Sequence, residues 1–170
     1  MTNPSINNIL IDPELKILTL DEAIHWRSEL QDNKEKLVMT NGCFDLLHRG
    51  HVKYLYEARK KGDKLLLLIN SDDSVRAIKG PSRPINDEHS RAYVAAGLGC
   101  IDAVVIFSGA RCTAEINAIR PDIYVKGGDY TVETLNSEER QALFAVGADI
   151  KFINFVDGFS TTNTIDKMSK

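Results

Sequence analysis

Five short apolar runs, each followed closely by a stretch of helical character, constrain this chain more than anything else in it. They lie at 37–40, 64–69, 103–107, 123–125 and 150–155. The second, Lys64-Leu65-Leu66-Leu67-Leu68-Ile69, is apolar through its centre, which fits a strand covered on both faces. Strands of that kind sit in parallel sheets, whose crossovers are long enough to hold a helix. The intervening segments supply the helices. Thr19 and Glu22 have capping-box spacing around Leu20, Ala23, Ile24 and Leu30, which predicts a helix to about Gln31. A second is expected over 50–61, with Val52, Leu55, Tyr56 and Arg59 on one side and Gly62 as its stop. Others are expected at 75–78, from Asn86 or Asp87 to about Leu98, at 113–119, at 137–146, and from Ser160 or Thr161 onward. The alternation implies a single Rossmann-like three-layer α/β domain with a five-stranded, mostly parallel sheet. Residues 1–17, with Pro4 and Pro13, read as an N-terminal arm, and 18–170 as the domain, opened by a leading helix within 18–35.

Composition removes several classes of function. The chain has 170 residues, 43% hydrophobic and 26% charged, which is globular and matches one domain. Its net charge of −3 gives no general affinity for a nucleic-acid backbone. The stretch Leu65 to Ile69 is too short to cross a bilayer, and the first residues lack the pattern of a signal peptide. Cys43, Cys100 and Cys112 fit neither a disulfide framework nor a zinc site. A reduced, soluble, cytoplasmic protein without nucleic-acid or membrane partners is the expectation.

In such sheets ligands bind outside the carboxyl ends of the strands. The unusual polar segments fall there: 41–51, 70–74, 126–130 and 157–163. His48 and His51 lie at a strand-to-helix turn, spaced so that both rings can face one side. A helix start offers free N–H groups and a positive dipole end, so the pair can hold phosphate oxygens, with Gly42 and Gly50 letting backbone approach. Metal binding and ordinary polar roles are the alternatives at this stage, although no third metal ligand has clear spacing. The first strand is not followed by GxGxxG, and no Gly-Lys-Ser/Thr ending marks a P-loop.

Gly42-Cys43-Phe44-Asp45 leading into His48-Arg49-Gly50-His51 resembles the signature of the cytidylyltransferase-like nucleotidyltransferases. With Thr40-Asn41, Ser82-Arg83-Pro84-Ile85-Asn86, Val125-Lys126-Gly127-Gly128-Asp129-Tyr130 and Asp157-Gly158-Phe159-Ser160-Thr161-Thr162-Asn163, the chain is similar to the bacterial heptose 1-phosphate adenylyltransferases from about Leu18 to Ile165. Those occur alone or as the C-terminal domain of a bifunctional kinase–adenylyltransferase. The resemblance implies the nucleotidylyltransferase fold, transfer of AMP from ATP to a heptose 1-phosphate, and a homodimer. It places His48 and His51 on the triphosphate as catalytic residues, with Lys79 and Arg91 near phosphates. It sets Thr40, Asn41, Gly42, Cys43, Phe44, Gly50, Lys126, Gly127, Gly128, Asp129, Phe159, Ser160, Thr161 and Thr162 around the nucleotide. Ser160 and Thr161 also suit helix caps.

Asp45, Asp72, Lys79 and Arg83 are the substrate-side candidates. Asp45 has three readings: general base, magnesium ligand or acceptor for the turn. A phosphate nucleophile hardly needs deprotonation near neutral pH, which favours substrate positioning or magnesium. Asp72 suits a ligand hydroxyl or a helix cap. Magnesium is expected to be held mainly by the phosphates, with no protein ligand assigned. Gly97-Leu98-Gly99 and Phe159 depart from the heptose pattern. On the resemblance, Phe159 would alter the base or sugar side of the pocket. The rival expectations are a cytidylyltransferase for glycerol 3-phosphate or a similar alcohol phosphate, a flavin or pantetheine adenylyltransferase, and a nucleotide-binding module without turnover.

Overall fold

The computed structural model describes residues 11–128 and 130–154. Six strands form one sheet: β1 (Ile17–Leu18), β2 (Leu37–Gly42), β3 (Lys64–Asn70), β4 (Ala103–Phe107), β5 (Ile123–Gly127) and β6 (Asp149–Ile153). Their order is β1-β4-β3-β2-β5-β6, and every pair is parallel. The helices are α1 (Leu20–Asp32), α2 (Arg49–Arg59), α3 (Asp72–Lys79), α4 (Glu88–Ala96), α5 (Thr113–Ile119) and α6 (Ser137–Val146). The helix expected from Ser160 or Thr161 lies outside the described residues.

The expected five strands are corrected to six. The addition is β1, whose two residues pair Ile17 with Val104 and Leu18 with Val105. Two residues carry no periodicity, so only the neighbouring strand reveals them. Just before β1, Pro13–Lys16 forms a 3-10 turn, and Lys16 donates to the carbonyls of Ala96 and Ile101 at 3.0 and 2.9 Å.

The long apolar runs divide by parity. Leu37, Met39, Leu66, Leu68, Val105 and Tyr124 face a core closed by α1, α5 and α6. Val38, Leu65, Leu67, Ile69, Val104 and Val125 face a second core closed by α2 and α4. Successive strand residues point to opposite faces, so a run apolar at every position needs a helix layer on each side. Leu65 to Ile69 are all 0% exposed.

Two helix faces differ from expectation. On α2 the buried residues are Gly50, Tyr54, Leu55 and Ala58, whereas Val52 and Tyr56 are exposed. Tyr54 turns inward because its hydroxyl meets Thr40 Oγ1 at 2.6 Å and donates to the Val125 carbonyl at 3.1 Å. On α1, Ala23 and Leu30 are buried as expected, Ile24 is exposed, and Arg27 takes a core position. Thr19 and Glu22 form the expected capping box.

The chain lays down β2, β3 and β4 in one direction and then returns to place β5 and β6 on the other side of β2. Strand order therefore reverses between β2 and β5, and the crevice beyond their carboxyl ends is where such sheets bind ligands.

Candidate active site

β2 ends on Asn41 and Gly42, and β5 ends on Lys126 and Gly127. Between and above them opens a cavity of about 600 Å³. That is within the roughly 300–1,000 Å³ of small-molecule clefts. Asn41, Gly42, Cys43, Phe44, Asp45, His48, Gly50, His51, Lys79, Arg83, Lys126 and Gly127 line it. Most of the residues singled out from sequence are thus gathered around one space.

The floor turns on Gly42. A Cβ there would lie 2.7 Å from the Phe44 ring, too close to tolerate. Phe44 has φ 46° and is 7% exposed. Its ring packs 5.1 Å from that of His51. The absence of a side chain at position 42 lets the Phe44 ring lie over the end of β2.

His48 is the N-cap of α2, its Nδ1 accepting from the His51 N–H at 3.3 Å. Acceptance at Nδ1 places the proton of the neutral ring on Nε2. The two imidazoles are stacked, 3.8 Å between centroids and 16° between planes. Burial, then the neighbouring His48, pulls His51 down to about 4, with the Leu46 carbonyl partly opposing this. Burial also lowers His48. Both rings are therefore neutral near pH 7 in the free protein, since two stacked cations would repel. His51 Nδ1 is buried and meets no partner in good hydrogen-bond geometry among the described residues, although the Leu46 carbonyl lies close enough to favour the protonated ring. A poorly satisfied buried nitrogen beside a helix start is suited to a ligand that brings a better partner.

The loops are braced from behind. Asp45, whose side chain is 1% exposed, accepts from Arg83 Nε and from the N–H groups of Ile85 and Asn86 at 2.8 and 3.1 Å. Of its three readings, this geometry fits the acceptor for the turn. Arg91 is 2% exposed and donates to the Asn86 carbonyl, the Cys43 carbonyl and Asp72 Oδ1 at 3.0, 2.7 and 2.8 Å. Arg91 and Asp72 thus grip the 43–45 turn from outside the cavity, and neither lines it. The α3 N-cap is Ser71, not Asp72. Burial raises the Cys43 thiol, which disfavours the thiolate that a nucleophile needs.

On the opposite wall, Asn41 Oδ1 accepts from the Tyr124 hydroxyl at 2.7 Å and from Lys126 Nζ at 3.0 Å. Gly128, at φ 109°, donates its N–H to the Ile153 carbonyl at 2.9 Å and turns the chain off β5. Asp129, Phe159, Ser160, Thr161 and Thr162 lie outside the described residues. No group of three or more His, Cys, Asp or Glu able to hold a metal occurs among the described residues. No helix of the described residues is long and apolar enough to cross a membrane.

Asn70 and Tyr130, from two of the expected rim segments, also line the cavity. The wall formed by Ala110, Arg111 and Glu139 is far less evident in the sequence. The loop after β4 is drawn in by the Gly109 carbonyl, which accepts from Ser74 Oγ at 2.8 Å. Its one signal is Arg111 in the small-residue run Ser108-Gly109-Ala110, just past a strand's carboxyl end.

Residues 39–165 match the family model described as cytidylyltransferase-like. The chain is 48% identical over 158 residues to the "Bifunctional protein HldE" of Syntrophotalea carbinolica, spanning 89% of this chain and 32% of that protein. It is 50% identical over 168 residues to the protein of the same name from Pasteurella multocida, spanning 89% and 35%. The chain thus spans about a third of the length of these relatives. Among solved structures it is similar to a lipopolysaccharide core biosynthesis protein from Thermoplasma volcanium, with a TM-score of 0.59, 28% identity, and coverage of 72% of this chain and 97% of that one. The match over residues 39–165 takes in the histidine pair, the Gly42 floor and the β5 loop, and on it this chain belongs to the cytidylyltransferase-like family.

Proposed function

We propose that this chain transfers AMP from MgATP to a heptose 1-phosphate, releasing pyrophosphate and forming ADP-heptose, a precursor for lipopolysaccharide or another surface glycan. The observation that carries the reading is the stacked His48–His51 pair at the start of α2, beside the strand-order reversal. Family membership supports nucleotidyl transfer as the chemistry of that place. The Thermoplasma protein is named for lipopolysaccharide core biosynthesis, which supports a sugar phosphate as acceptor.

In this reading the triphosphate lies over the N-terminus of α2, against His48, His51 and the 41–44 backbone. Magnesium enters with it, carried by the phosphates. The sugar phosphate is drawn in by Lys79 and Arg111, neither of which has an ion pair among the described residues. One of its oxygens attacks the α-phosphorus in line with the departing pyrophosphate. One P–O bond forms, one breaks, and the nucleophile is already an anion, so no general base is required. The protein positions the reactants and stabilises charge developing on the α-phosphate oxygens. Asp45 and Arg91 contribute by holding the loop that shapes the site. The protein acts as a homodimer in the reducing interior of the cell.

A cytidylyltransferase acting on glycerol 3-phosphate is the second reading, favoured by the description of the matching family. ATP and CTP, each offered with heptose 1-phosphate and with glycerol 3-phosphate and followed by pyrophosphate release, separate the two. Release with ATP and heptose 1-phosphate alone is the expected result. Preference for CTP with glycerol 3-phosphate would replace it, and no release with any pair would reduce the chain to a binding module.

A further inference from the structure

A buried carboxylate and a partly buried ammonium face each other at the back of the cavity. Glu139, in the first turn of α6, is 3% exposed. Its Oε1 accepts from the Cys112 N–H at 3.4 Å and lies 3.4 Å from the Cys112 Sγ. Those partners are neutral, and they do not balance a buried negative charge. Its Oε2 is 4.0 Å from Lys126 Nζ. Lys126 donates to Asn41 Oδ1 at 3.0 Å and to the Tyr124 hydroxyl oxygen at 3.4 Å. The Tyr124 hydroxyl spends its own proton on the same Asn41 oxygen, at 2.7 Å. With two donors on one amide oxygen, the orientation of Asn41 is fixed and its Nδ2 is turned away from them. β2 contributes Asn41, β5 contributes Tyr124 and Lys126, and α6 contributes Glu139, so the geometry is set by regular elements and not by a loop.

We propose that Glu139 is a positioning residue, whose charge holds the Lys126 ammonium against Asn41 and Tyr124 and so keeps it aimed at the phosphate undergoing transfer. This rests on the nucleotidyltransferase reading above. The arrangement has an unusual kinetic consequence. A negative charge beside an anion site weakens ground-state attraction for the nucleotide. Removing it frees Lys126 to move while making the site more cationic. Turnover should fall and nucleotide affinity should not.

Glu139→Gln keeps the shape and an acceptor for the Cys112 N–H but carries no charge. Measured by pyrophosphate release, it should lower kcat about tenfold, with KM for MgATP unchanged or lower. In a Lys126→Met background the same change should have no further effect on kcat, because the group it positions is gone. A second readout does not depend on turnover. Lys126 held by these contacts should react slowly with limiting acetic anhydride relative to exposed Lys34, and several-fold faster in Glu139→Gln. Unchanged kcat, a raised KM at normal kcat, or a full effect retained in Lys126→Met would overturn the proposal. If the wild-type chain releases no pyrophosphate, the function itself fails and the labelling decides: equal Lys126 reactivity with and without Glu139 removes its positioning role.

Discussion

At the amino edge of the sheet, Asp122 receives two N–H groups from Arg27, at 2.8 and 2.9 Å, and the backbone N–H of Leu37 at 2.7 Å. Asp102 there receives Arg59 Nε and the N–H of Leu65, both at 2.8 Å. At the carboxyl rim, Asp45 receives Arg83 and two loop N–H groups, and Asp72 receives Arg91. The same pairing serves two ends. Below, each aspartate is bonded to the start of a strand and so pins sheet register. Above, each pair fixes a loop whose path the sheet does not dictate. The amino edge has its charges committed to the fold, whereas the rim leaves Lys79 and Arg111 without an ion pair among the described residues. Polar groups at the first edge make the scaffold, and those at the second make a surface complementary to phosphate.

The contrast breaks if damage at the two edges has the same consequences. Arg27→Ala leaves Asp122 with one hydrogen bond and empties a core position, and should cost about 2–4 kcal/mol. In a thermal melt that is a fall of about 10 °C. Turnover per folded molecule should stay within about threefold, since nothing Arg27 touches reaches the cavity. Asp45→Asn should do the reverse, costing about 1–2 kcal/mol of stability but lowering kcat/KM by tenfold or more as the 43–45 turn loosens. Equal stability losses with equal activity losses would show that the two edges do not differ in role.

A smaller effect sharpens the comparison through pH. His51 is held near 4 in the folded protein, against about 6.5 for an ordinary histidine. Between those values the unfolded chain binds a proton that the folded protein does not. Stability contributed by neutral burial is therefore full above about 6.5 and declines as pH falls toward 4. Melting temperature should drop more steeply over that window in the wild type than in His51→Asn. Identical slopes would mean that His51 titrates normally.

Much of this was legible from the sequence, for reasons that differ by element. β4 at Ala103–Phe107, α5 at Thr113–Ile119 and α6 at Ser137–Val146 have the expected bounds, because strand runs and caps are local signals. β1 was invisible, since pairing with β4 and no pattern of its own makes Ile17–Leu18 a strand. The buried face of α2 was misread because Tyr54 earns its inward position from Thr40 and Val125, which are distant in sequence. At the site, motif residues gathered as expected around Gly42 and the histidine pair. The partners did not show: sequence cannot reveal that Asp45 meets Arg83, that Asp72 meets Arg91, or that Glu139 faces Lys126. Those are long-range pairings, with partners 38, 19 and 13 residues apart.

The most direct test of the account is the turnover of His51→Ala with MgATP and heptose 1-phosphate, read as pyrophosphate release alongside a melt. His51 lies in the rim region and carries no part of the amino-edge scaffold. The account predicts a cooperative melt within a few degrees of the wild type and turnover about a hundredfold lower. Near-normal turnover in the folded variant would contradict it, and with it the assignment of the triphosphate to the start of α2.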